Sequence, residues 1–165
     1  MKPVIKDYPE IKEIKQLEKN SHKEGSGIVY EELIGIWRFQ YVWKKGSDEI
    51  DNISSTILQV FSARLELNKK DPQNNMNFEI KNSISCGLLN IIFTGSASLK
   101  GLRPLLLFYF DNCKVNIGNF SIINKSIKKP KEKEMPFFSL IGISKLDNWM
   151  CARGRGGGLA IWIRS

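Results

Sequence analysis

LIGIWRFQYVWKK, residues 33–45, decides how the rest of the chain is read. Leu33, Gly35, Trp37, Phe39, Tyr41 and Trp43 alternate with Ile34, Ile36, Arg38, Gln40, Val42 and Lys44, and the second set turns polar after Ile36. A period of two over this length predicts a β-strand and argues against a helix. Four aromatics on one face need a wide interior, and the ~10 Å gap of a two-sheet sandwich holds them less readily than a barrel does. Gly35, two residues before Trp37, leaves space for a close backbone approach. The stretch predicts one wall of an all-β barrel, with an ordinary core strand of another β fold as the alternative.

Towards the N-terminus, residues 7–20 predict a helix. Asp7 and Glu10 have capping-box spacing, Pro9 falls in the first turn, and Ile11, Ile14 and Leu17 form a narrow apolar stripe. Such a stripe packs on the outside or one end of a barrel, or lies on a membrane surface. Residues 20–26, NSHKEGS, form a linker. Towards the C-terminus, alternation predicts strands at residues 57–67, 76–86, 89–99, 104–110, 115–122, 137–144, 146–153 and 159–164. Turns are placed at residues 68–75, 101–104, 111–114 and 153–158. The strand at 104–110, PLLLFYF, is apolar on both faces, so an outer cover such as the N-terminal helix is expected. In the strand at 89–99 the inward residues shrink towards Gly95 and Ala97, which suits a barrel bend or space for a ligand. The whole chain, 1–165, reads as a single mainly β domain: an antiparallel barrel of about eight or nine strands over residues 33–164 with a short N-terminal helix.

Composition narrows the function classes. A net charge of +8 and pI near 9.4 favour anionic partners. Three cysteines, Cys86, Cys113 and Cys151, lack CxxC spacing, which points to a reducing compartment and no structural zinc. One histidine, His22, makes a catalytic triad or a multi-histidine metal site improbable. No apolar run approaches the ~20 residues of a membrane helix, and the first residues have no apolar core of a secretory signal. The segment 125–136 carries Lys125, Lys128, Lys129, Lys131 and Lys133 against Glu132 and Glu134. It reads as a solvated loop or as a lipid- or protein-docking patch. No nucleic-acid partner is expected, because this loop lacks interleaved aromatics and no RNA- or DNA-binding motif is present. The glycine-rich RGRGGG at 153–158 lacks the following GK[S/T] and precedes a strand, so it is a hairpin turn and not a phosphate loop.

Taken together, the two ends of the chain resemble the plastid lipid-associated protein family, the fibrillins of plastids and cyanobacteria. The residues that carry the resemblance are Leu17 and Asn20 at the end of the helix, Gly35 and Trp37 opening the first strand, Leu146 and Asp147, Arg153 and Gly154, and LAIWIR ending at Arg164. The chain departs from the family pattern at Ser21, where proline is common, and at Asn148–Cys151, where acids and an arginine are usual. The resemblance implies a lipocalin-like barrel with an apolar cavity, association with thylakoids and plastoglobules, and carriage of lipids, quinones or carotenoids. It brings no catalytic residues.

In barrels of that kind a late arginine covers a Gly-x-Trp at the floor, which gives Arg153 or Arg164 as the residue stacked on Trp37. Asp147 would cap its turn or orient Arg153. The candidate ligand-contacting set is Trp37, Phe39, Tyr41, Trp43, Phe93 and Arg153, with Gly35, Asp147, Gly154 and Arg164 as structural positions. The expected protein is a non-enzymatic carrier, cytoplasmic and peripherally attached to thylakoid membrane, with no cofactor beyond a bound lipid, quinone or carotenoid. The alternatives are a bilin lyase, with Arg38, Arg64 or Arg153 holding propionates, and an interaction protein whose barrel is filled by its own side chains.

Overall fold

The computed structural model describes residues 8–51, 63–71 and 73–165. Helix α1 (Ile11–Glu24) and one turn of helix, α2 (Tyr30–Leu33), precede nine strands. These are β1 (Gly35–Trp43), β2 (Arg64–Asp71), β3 (Asn74–Cys86), β4 (Leu89–Lys100), β5 (Leu105–Ile117), β6 (Phe120–Ser126), β7 (Phe137–Ser144), β8 (Trp149–Gly154) and β9 (Leu159–Arg164). All pair antiparallel in one sheet, in the order β4-β3-β2-β1-β9-β8-β7-β5-β6. A further β4–β5 pairing closes eight of the strands into a hydrogen-bonded ring, with β6 outside it. The first strand pairs with the last: Trp37 lies opposite Arg164 and Trp43 opposite Leu159. The ring is narrowest in hydrogen bonds at β5–β7, where only Leu105–Leu107 and Phe137–Ser139 are in register.

Several sequence boundaries are corrected. Helix α1 is capped at Glu10, whose N–H donates to the Glu13 carboxylate at 2.7 Å, and the Asp7 cap lies outside the described residues. It runs into the expected linker as far as Glu24, and Ser21 is buried on it with its hydroxyl donated to the Glu18 carbonyl. Gly25 ends it at φ +84°, where a Cβ would stand 2.5 Å from the Leu102 carbonyl oxygen. The strand expected at 57–67 is described only from residue 63, and β2 runs on to Asp71, leaving a tighter turn than residues 68–75. There is no turn at 111–114. β5 continues to Ile117, carries Asp111 as an extra residue without a partner in β4, its carbonyl accepting from the Ile127 N–H, and turns at Gly118 (φ +57°). Residues 146–148 are turn, not strand: Asp147 accepts the Ser144 hydroxyl at 2.8 Å and Asn148 takes φ +56°.

Two cores lie on opposite faces of the ring. The interior core contains Trp37, Phe39, Leu65, Leu67, Phe78, Ile80, Leu106, Leu140, Met150 and Trp162. The outer core lies under α1: Ile14 packs with Trp43, Ile141, Cys151, Leu159 and Ile161, and Tyr41 joins it. LAIWIR is apolar on both faces because β9 separates these cores. The helix therefore covers β9 and its neighbours, not the outer face of β5. That face is crossed by the lysine-rich segment, where the Phe108 N–H donates to the Pro136 carbonyl and Lys129 sits 4.4 Å from the Tyr109 ring centre.

A bulge in β1 decides which aromatics face inward. Phe39 pairs with Trp162 and Tyr41 with Ile161, so Gln40 is an extra residue. One extra residue inverts the alternation that follows it. Trp37 and Phe39 face the interior, while Tyr41 and Trp43, expected on the same side, face outward against α1.

Candidate functional site

The interior is filled at one end and hollow at the other. At the filled end Trp37 is fully buried and donates its indole N–H to the Leu33 carbonyl at 2.8 Å. The Arg164 guanidinium lies 4.4 Å from the Trp37 ring centre and donates to the carbonyls of Ile34, at 2.9 Å, and Glu32. Gly35 lies beside the Arg164 guanidinium and takes φ +136°, a backbone conformation that favours glycine. Tyr30 closes the same end, stacked on Phe78 at 4.2 Å with its hydroxyl donated to the Asn77 carbonyl.

At the hollow end a cavity of about 320 Å³ reaches the interior. Its apolar lining includes Phe39, Val42, Leu65, Phe108, Phe138 and Trp162, with Arg64 and Asn82 as polar members. Phe39 meets Trp162 edge-on at 6.4 Å, Trp162 meets Phe138 at 5.3 Å, and Phe138 stacks on Phe108 at 5.0 Å. Phe108 and Phe110 continue the series at 5.7 Å, and Phe110 and Phe93 at 5.5 Å. The cavity is an aromatic cage, and among the described residues that line it there is no carboxylate. A lining of this kind suits an apolar ring or chain, with one guanidinium and one carboxamide at its edge for a polar end group.

Of the expected contact residues, Phe39 lines this cavity and Phe93 extends the aromatic series beside it. Trp37 belongs to the floor. Tyr41 and Trp43 are outside, beneath α1, for the reason given by the bulge; Tyr8 stands 5.4 Å from Tyr41, and burial with that contact raises its phenol pKa. Arg153 is outside too. Its guanidinium grips both Glu18 carboxylate oxygens at 2.5 and 2.6 Å and donates to the Gly157 carbonyl. It therefore ties α1 to the β8–β9 turn, and Asp147 does not touch it. The hydrogen bond from Arg153 holds the Glu18 carboxyl below its ordinary range, against the upward push of burial. Gly154 opens the turn, its N–H donated to the Gly158 carbonyl at 2.9 Å. Gly95 and Ala97 do not floor the cavity. A Cβ at Gly95 would fall 2.0 Å from the Tyr109 carbonyl, so this glycine serves the close β4–β5 approach, and Ala97 is packed in the core.

The residues that sequence reasoning missed are Val42, Phe108, Phe110, Phe138 and Trp162. The pattern held one signal for them: Trp162 is two residues from Arg164, and so shares its side of the strand. Of the lysines, Lys125 belongs to β6, and Arg155 anchors the segment after it by donating to the carbonyls of Lys133 and Met135. Among the described residues no group of three His, Cys, Asp or Glu side chains could hold a metal, and no helix is long and apolar enough to cross a membrane.

No family model matches the chain, and neither a curated protein nor a solved structure is similar to it at a significant level.

Proposed function

We propose that the ring is a lipocalin-like barrel and that the protein is a non-enzymatic carrier of an apolar or amphipathic small molecule, a quinone, lipid or carotenoid. The observation that carries this reading is the aromatic-caged cavity above the Trp37–Arg164 floor. Its volume of about 320 Å³ is at the small end of ligand pockets. A quinone ring or a segment of acyl or isoprenoid chain fits it, and a longer molecule would project from the mouth. Burying ~300 Å² of apolar ligand surface gains about 7 kcal/mol gross. Lost freedom of motion removes ~4 kcal/mol or more, so binding is micromolar or weaker without a polar anchor. The fibrillin-like order of motifs and the +8 charge support a peripheral place at anionic thylakoid membrane.

The bilin-lyase reading is weaker on this geometry. Of Arg38, Arg64 and Arg153, only Arg64 lines the cavity, whereas two propionates need two cations. The filled-barrel reading is opposed by the cavity itself.

A short-chain quinone titrated into the purified protein tests the proposal. Trp162 fluorescence should be quenched saturably, and Trp162→Phe should remove that component. A linear, non-saturating response would defeat the carrier reading. The colour and lipid extract of protein taken from a photosynthetic host then distinguishes carotenoid, quinone and bilin.

A further inference from the structure

Beyond the ring, the ends of β3, β4 and β5 continue with β6 as a wing. It is held together at its tip by the Gly118 N–H donated to the Leu88 carbonyl at 2.8 Å. The wing projects from the hollow end. Asn82 lines the cavity, and Cys86, four residues farther along β3, stands ~13 Å beyond it at ~3.3 Å per residue.

The tip is apolar and open. Leu88 is 71% exposed, Phe120 76% and Ile122 57%, with Ile117, Ile123 and Leu89 exposed beside them. An exposed group of this kind marks an interaction surface, unlike a single surface leucine such as Leu146. Its electrostatics select the partner. Residues 82–94 and 112–126 contain no Asp or Glu and two lysines, Lys114 and Lys125. Lys114 is four residues behind Gly118, and Lys125 pairs with Cys113, so both charges stand ~13–17 Å behind the tip. Interfacial elements sink their apolar part ~5–10 Å below the headgroups. An apolar tip with cations set back from it suits an anionic bilayer surface, the lysine stems reaching to the lipid phosphates.

We propose that the wing tip, and not the lysine-rich segment by itself, docks the protein on an anionic lipid bilayer and holds the cavity mouth towards the membrane. The inference rests on the carrier reading for its purpose, but docking is measured without cargo.

The test is sedimentation of the full chain with phosphatidylcholine vesicles containing about one third phosphatidylglycerol. Wild type should partition onto them, and Leu88→Asp with Phe120→Asp should lower the partition at least ~10-fold, a loss of ~1.4 kcal/mol. Leu88→Ser with Phe120→Ser gives a milder pair should the aspartates disturb folding, and the thermal midpoint reports the fold of both. An environment-sensitive dye on exposed Cys86, in a Cys113→Ser background, should shift to the blue on vesicles. Unchanged partition in the variants, a dye that stays in water, or concentration-dependent pairing of copies through β6 in place of vesicle binding would each overturn docking by the tip. Quinone uptake without vesicles is read separately, so loss of the carrier reading and loss of docking give different results.

Discussion

Arg164 and Trp37 lie directly opposite each other in β9 and β1, and the guanidinium covers the indole at 4.4 Å while donating to two carbonyls of the chain that leads into β1. One side chain thus seals the ring where its first and last strands meet. Arg164→Ala removes a cation–π contact and two charge-assisted hydrogen bonds from a partly buried site. It is expected to cost about 2–4 kcal/mol in urea unfolding. Arg164→Lys should recover little, because an ammonium cannot cover the ring and reach both carbonyls. Gly35→Ala should cost about 1–3 kcal/mol through backbone strain at positive φ.

Filling the cavity separates space from strain. Ala160 lines the hollow end. Ala160→Phe should leave the thermal midpoint unchanged or higher and reduce quinone or apolar-fluorophore uptake about ten-fold, a loss of ~1.4 kcal/mol. Ala97→Phe should instead destabilise by about 1–3 kcal/mol, since Ala97 is enclosed by packed neighbours.

Acid stability should depend on the Glu18–Arg153 pair. The Glu18 pKa is below its ordinary 4.5 in the folded protein, so the unfolded chain takes the proton first. The stabilisation is complete above about pH 4.5 and is lost as pH falls through the lower folded value. Glu18→Gln should cost about 1–2 kcal/mol at neutral pH and flatten the acid limb of a stability–pH curve.

The three thiols should react at three rates. Cys86 is exposed and Cys113 half-buried, while Cys151 is fully buried and burial pushes its thiol up to about 12. Titration with a disulfide reagent should show one fast thiol, one slower thiol and one silent until denaturant is added. Anionic vesicles should slow the fast one.

Lysine reversal should act through charge more than through fold. Lys128→Glu, Lys129→Glu and Lys131→Glu together should weaken vesicle binding, and the remainder should be less salt-sensitive than wild type, at ~1 kcal/mol per lysine near the surface. Lys129→Glu alone also loses its place over Tyr109 and should loosen the segment to protease.

Much of the strand pattern was legible because alternation follows directly from the pleat. Phe137–Ser144 and Leu159–Arg164 fall on β7 and β9 as expected, and the Trp37–Arg164 contact is one of the two that were foreseen. The site was less legible. An extra residue at Gln40 leaves no mark on composition, yet it sends Tyr41 and Trp43 to the other face. Arg153 offered the same charge as Arg164, and only the position of Glu18 on α1 shows why it turns outward. The small residue at Gly95 was compatible with a bend or a pocket, and the nearness of the Tyr109 carbonyl shows instead a close approach of β4 and β5.

The short β5–β7 seam has a kinetic consequence. Backbone pairing joins these strands over three register pairs and the two hydrogen bonds that flank them, while β4 and β5 are zipped over their full length. Opening that exposes little apolar surface and breaks few bonds has the lowest free energy in a fold. Amide exchange at Leu106 and Phe138, the hydrogen-bonded pair of this seam, should therefore outpace that of β3 and β4. Phe108 and Phe138, stacked across this seam, are also cage walls. When the seam breathes, the cage gains a side door, and a chain-like molecule could slide in broadside without threading end-first through the mouth.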